Sequence, residues 1–186
     1  MGSELKRRLD YTDYVAAPDD GNCYQIVNGD LFVTPSPSPL HQRISRRLQR
    51  HLEDHVEERS MGEVFNAPID LILSNHDVFV PDLVVVLEPE HVTNRGIEGA
   101  PLLIVEILSP STRKQDCGVK ARRYAELGVE HYWIVDPDAC SVECHRLDPG
   151  SGSFLKVTEA SEDAVLMHPD WDGLEIELKG LWAATP

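Results

Sequence analysis

The chain lacks any long hydrophobic run: its longest apolar stretches are five residues, such as Leu83–Leu87, where a membrane span needs about 20. It is poor in aromatics, at 6% of 186 residues, and basic residues number 17 against 32 acids. A net charge of −15 argues against tight binding to nucleic acid or to an anionic membrane, because both need phosphates neutralised. No basic, apolar, small-residue segment opens the sequence, which predicts a cytoplasmic protein without a secretory signal. No Gly-rich phosphate loop and no Gly-x-Ser-x-Gly elbow occurs, so nucleotide-dependent and serine-hydrolase chemistry have no support. His51-Leu-Glu-Asp-His55 spaces two histidines at i and i+4 but lacks the glutamate directly after the first, so it is not a zincin helix. Four cysteines (Cys23, Cys117, Cys140, Cys144) are too few for a disulfide framework at this length. On a strand, Cys140 and Cys144 would stand about 13 Å apart, too far for one zinc, so free thiols are expected.

What is present is the composition of one globular domain: 41% hydrophobic and 26% charged residues, expected to fold as a unit over 1–186. Asn28-Gly29 between Tyr24–Val27 and Leu31–Thr34 is a strong hairpin signal. After the stiff Thr34–Pro39 connector, Ser38-Pro39 starts a helix. Ile44, Leu48, Leu52 and Val56 carry it to about residue 58. The period then falls to two. Strands are predicted at 62–67, 70–73, 83–87, 102–108 and 132–136, with more exposed ones at 141–147, 154–158 and 174–178. Ser109–Thr112 opens a second helix that stops at Gly128. This order predicts a mixed α/β (α+β) fold, a central mixed sheet flanked by helices.

One residue resists a purely structural account. Glu106 lies inside Leu102–Leu108, a strand apolar on both faces, so no register places it in bulk water. A buried carboxylate needs a cation, donors or a metal. Asp82 follows Pro81 at the start of another strand, and two carboxylates on neighbouring strands can form an oxygen-donor magnesium site. On the second helix, with Cys117, Ala121, Tyr124, Ala125 and Leu127 on the apolar face, Lys120 points toward the sheet. Arg122, Arg123 and Glu126 point away. Lys120 is therefore the expected counter-charge of Glu106. A structural ion pair, a snorkelling lysine and a plain Pro-Asp turn are the alternatives.

Val80-Pro-Asp82, Val105–Thr112, Lys120-x-x-x-Tyr124 and Gly128–Pro137 resemble the bacterial putative restriction endonuclease family of the PD-(D/E)xK superfamily. The similarity spans roughly residues 10–147, with strands about 150–186 beyond that core, and extends to Thr34–Pro37, His41-Gln42 and Asn66–Asp70. It implies a restriction endonuclease-like fold and metal-dependent DNA cleavage, with Asp82 and Glu106 ligating Mg²⁺ or Mn²⁺. The motif lysine's position is Leu108 here, so Lys120 takes its role, with Lys114 as runner-up. His41 and Asp70 are accessory candidates at the rim. Arg43, Arg46, Arg47 and Lys114 are candidate phosphate contacts for weak, non-specific DNA binding, which a homodimer would double. Two other readings stay open: a nuclease fold that has lost cleavage and binds DNA or protein, and a hydrolase of small phosphoesters.

Overall fold

The computed structural model describes residues 7–183. A short helix, α1 (Tyr11–Val15), is capped at both ends of its first turn: the Asp10 carboxylate accepts from Thr12 and Asp13, and Asp13 returns the bond. Strands β1 (Cys23–Val27) and β2 (Asp30–Thr34) form the predicted hairpin. Asn28 and Gly29 turn it with φ of 52° and 83°, the pair of left-handed residues that matches strand twist. Helix α2 (Pro39–Val56) starts where Ser38 Oγ accepts the His41 N–H at 3.2 Å, and Pro39 occupies the first turn. Ile44, Leu48, Leu52 and Val56 are all fully buried, as their spacing requires.

The next strands are β3 (Glu63–Asn66), β4 (Leu71–Ser74), β5 (Asp77–Phe79), β6 (Leu83–Val86), β7 (Val92–Thr93), β8 (Gly96–Glu98) and β9 (Leu103–Ile107). A helical crossover follows: α3 (Arg113–Gln115), a π-helical turn (Asp116–Lys120) and α4 (Ala121–Glu126). The chain ends in β10 (His131–Asp136), β11 (Ser141–Asp148), β12 (Ser153–Ser161), β13 (Val165–Met167), β14 (Glu175–Glu177) and α5 (Leu178–Trp182). The segment 174–178 is thus strand only at 175–177, since Leu178 begins α5.

The fold is mixed α+β. Its central sheet runs β12-β11-β10-β9-β6-β3, with β9 and β10 parallel and its other pairs antiparallel. A second sheet, β2-β1-β5-β4-β8-β7, shares a core with one of its faces. The period-two alternation of the central strands separates the two cores. Leu83, Val85, Leu103, Val105, Trp133 and Val135 face α2, α5 and the β13–β14 pair. Val84, Val86, Ile104 and Tyr132 face Tyr124 of the crossover helix and Val27, Leu71 and Phe79 of the second sheet. Glu106 follows the parity of Ile104 and so belongs to this second face. None of the described helices is long and apolar enough to cross a membrane.

Candidate active site

Strands β6 and β9 are antiparallel neighbours with Leu83 opposite Val105, so one further step sets Asp82 opposite Glu106. The Asp82 carboxylate is fixed by two contacts through Oδ2. It accepts the Ile107 N–H at 2.7 Å and lies 3.2 Å from His41 Nε2, which the first turn of α2 presents. Glu106 is 4% exposed. Its Oε1 accepts from Lys120 Nζ at 2.9 Å and from the Tyr124 hydroxyl at 2.8 Å. Lys120, 2% exposed, also lies 3.0 Å from Asp116 Oδ1. The expected pairing of Glu106 with Lys120 is therefore present, and a second buried acid joins it.

Sequence reasoning missed Asp116, and the cause is local. Residues 116–120 form a π-helical turn, whose wider i→i+5 pitch turns the chain through less than about 100° per residue. Counting back from Lys120 in α-helical steps placed Cys117 on the buried face. Cys117 is exposed instead, and Asp116 faces the sheet. The i,i+4 relation of Asp116 to Lys120 was the available signal. The outward assignment of Arg123 also needs correction. Its guanidinium bonds both oxygens of the fully buried Asp77, at 2.8 and 2.7 Å, tying α4 to the second sheet.

The electrostatics follow from burial. Desolvation pushes the Glu106 carboxyl up to about 8, against the pull of Lys120. Burial alone would lower Lys120, but Glu106 and Asp116 outweigh it and hold the ammonium charged. Burial likewise opposes protonation of His41, and the Asp82 carboxylate overcomes it, so its pKa lies above the usual histidine value. Asp82, Glu106 and Asp116 thus set three carboxyls around one buried ammonium and the His41 ring. Asp82 Oδ1 and Glu106 Oε2 take no part in the bonds just described. Hard oxygen donors on adjacent strands fit a divalent cation of the magnesium type.

Asp82, Glu106, Asp116 and Lys120 open on one cleft of about 930 Å³, together with His41 and Asp70. Asp70 is among its lining residues, and its Oδ1 accepts the Tyr14 hydroxyl at 2.6 Å. Among the described residues Lys120 is the one Lys or Arg lining this cleft, so its walls are acidic. The four cationic candidates lie outside it. Arg46 and Lys114 are exposed, Arg43 is half-buried, and Arg47 spends its guanidinium on the carbonyls of Leu181 and Ala183, at 3.1 and 2.6 Å. All four cysteines are free.

Comparison with known proteins agrees with this fold. The family model described as "Uma2: Putative restriction endonuclease" matches residues 11–179. The solved structure of a putative nuclease belonging to DUF820, from Anabaena variabilis ATCC 29413, superposes with a TM-score of 0.74 at 19% identity, covering 94% of this chain and 97% of that one. At that identity the likeness speaks for the fold. No curated protein matches the sequence. The chain belongs to the Uma2 family of putative restriction endonucleases.

Proposed function

We propose that this protein is a metal-dependent DNA endonuclease whose centre is Asp82, Glu106 and Lys120. The observation that carries this reading is the buried Glu106–Lys120 pair beside Asp82 at the floor of one cleft. In this reading Asp82 and Glu106 hold Mg²⁺ or Mn²⁺. Such an ion, when bound, polarises a phosphoryl oxygen and lowers the pKa of its water toward neutrality. The protein's own groups supply the rest. Lys120, held by two carboxylates at 2.9 and 3.0 Å, offers a fixed positive charge for the charge that develops on phosphorus. Tyr124 anchors the Glu106 oxygen that Lys120 also uses, leaving the other oxygen for the ion. His41 orients Asp82 from the N-terminal turn of α2. The acidic lining implies that DNA is held weakly and without sequence preference by the chain alone, with exposed Arg46 and Lys114 as outlying phosphate contacts. The free thiols support a cytoplasmic setting.

A second reading rests on Leu108 at the motif lysine's position and on the net charge of −15: a nuclease fold retained as a binding module. Plasmid nicking with Mn²⁺ and Mg²⁺ separates the two. The nuclease reading expects nicking by the wild type, reduced about a hundredfold or more by Glu106→Gln and by Lys120→Met. No nicking by a folded wild type that binds Mn²⁺ through Asp82 would favour the binding module.

A further inference from the structure

A second cluster of metal-ligating side chains lies on the other face of the central sheet. His131 opens β10 and pairs with Leu103, whereas Glu106 pairs with Ile134. The two positions are therefore three residues apart along the strands, about 10 Å, and of opposite parity. His131 shares its side with Trp133, in the core that faces α2. Next to it are His168, after β13, and Asp170. One ring nitrogen of each histidine and a carboxylate oxygen of Asp170 all lie within 4.8 Å of one another.

Two features distinguish this cluster from ordinary core histidines. Both imidazoles are buried, 2% and 5% exposed, yet His131 Nδ1 and His168 Nε2 have no hydrogen-bond partner. Other buried polar atoms, among them His41 Nδ1 and Trp133 Nε1, also lack a partner, but His131 and His168 lie with ring centroids 5.2 Å apart beside Asp170, which points to a ligand common to both. The surroundings leave donor atoms available on His131 and Asp170. The Glu130 carboxylate lies 3.6 Å from His131 Nε2, longer than a hydrogen bond, and His131 Nδ1 is free to coordinate. Arg146 holds Asp170 Oδ1 at 2.6 Å and leaves Oδ2 for an ion. Trp133 stacks on the His168 ring, with centroids 5.5 Å apart, and Trp171 abuts His131 edge-on.

We infer that His131, His168 and Asp170 form a metal site, separate from the cleft, for an imidazole-binding ion of the zinc class. Two nitrogens and one carboxylate oxygen suit that class rather than magnesium, and three protein ligands leave one position for water. A tetrahedral ion with bonds of about 2.0–2.1 Å draws its ligand atoms to about 3.4 Å of each other. From separations of at most 4.8 Å this asks for a closure of up to about 1.4 Å among the three side chains. Coordination through Nε2 moves the His168 proton to Nδ1 and gives up the long 3.2 Å bond from the Asp170 N–H. The bound ion would clip the 165–182 segment onto β10.

The test is zinc binding to the chelator-stripped full chain by equilibrium dialysis. Wild type is compared with His168→Gln, Asp170→Asn and the cleft variant Asp82→Asn/Glu106→Gln, with cobalt substitution as a spectroscopic check. The expected result is one zinc per chain retained in the cleft variant, and that zinc weakened roughly tenfold or more by His168→Gln and by Asp170→Asn. Cobalt should give the visible absorption of a four-coordinate ion, lost in the same two variants. Asp170 is exposed, so its substitution tests ligation without disturbing the core. No zinc bound at micromolar concentration, unchanged affinity in Asp170→Asn, or loss confined to the cleft variant would each overturn the inference. None of these outcomes bears on nicking, which stands or falls by its own assay.

Discussion

Glu106 and Lys120 each make the other's burial tolerable, and the consequences are asymmetric. Removing Glu106 leaves Lys120 with Asp116, whereas removing Lys120 strands two acids in a low-dielectric core. Lys120→Met leaves Glu106 and Asp116 without their shared ammonium. It should destabilise the metal-free protein by about 3–5 kcal/mol, read as a lower urea midpoint at unchanged slope. Adding Glu106→Gln should recover part of that loss, while a double variant as unstable as the single one would show that the pair is not coupled. This pairing was legible from sequence because an acid in an apolar run has no satisfactory surroundings without a counter-charge. Asp116 was not, since an aspartate near a helix start is ordinary until the turn beneath it is known to be π-helical. The cluster of His131, His168 and Asp170 was also invisible, because its members come from distant segments that only the fold of the C-terminal part brings together.

At the scale of elements, Asp77 ties the second sheet to the crossover helix. It receives Arg123 through both carboxylate oxygens, the Ser74 hydroxyl at 2.6 Å and the Asn28 N–H at 2.8 Å. Burial pushes this carboxyl up, and these donors together pull it below its ordinary value of 3.8. A depressed native pKa stabilises the fold above the unfolded value and loses that contribution as pH falls through the native one. Asp77→Asn should therefore cost about 3 kcal/mol between pH 5 and 8, toward the low end for a buried pair because Arg123 stays partly solvated. The gap from wild type should narrow below about pH 4, as denaturant titrations at several pH values would reveal. A gap that held constant to pH 3 would remove Asp77 from this role. Long elements with a clear period, such as α2 and β9, were read correctly from the chain. Strands β5, β7 and β8, each of three residues or fewer, carry too few side chains to display one, so the second sheet went unrecognised.

For the whole molecule, the decisive question is whether the part after residue 147 is appended or integral. Leu166, Ile176, Leu178 and Leu181 are fully buried in the same core as Leu48, Leu103 and Trp133. Arg47 of α2 also bonds the carbonyls that close α5. Truncation after Ser161 should leave this core open, giving a chain that lacks a cooperative thermal transition where the full chain shows one. A truncated chain that melted cooperatively near the wild-type temperature would mark the last segment as dispensable. The parallel pairing of β9 with β10 carries a further consequence, for the order in which the molecule assembles. These strands can join only after the chain between them has crossed over, and Lys120 rides on that crossover. The event that closes the middle of the sheet thus delivers the ammonium to Glu106. Until then the carboxylate must keep its hydration, and β9 cannot be sealed into an apolar core by its other neighbour alone. A single acid thereby makes early, incomplete closure of the sheet costly and couples a non-local step of folding to the construction of the site.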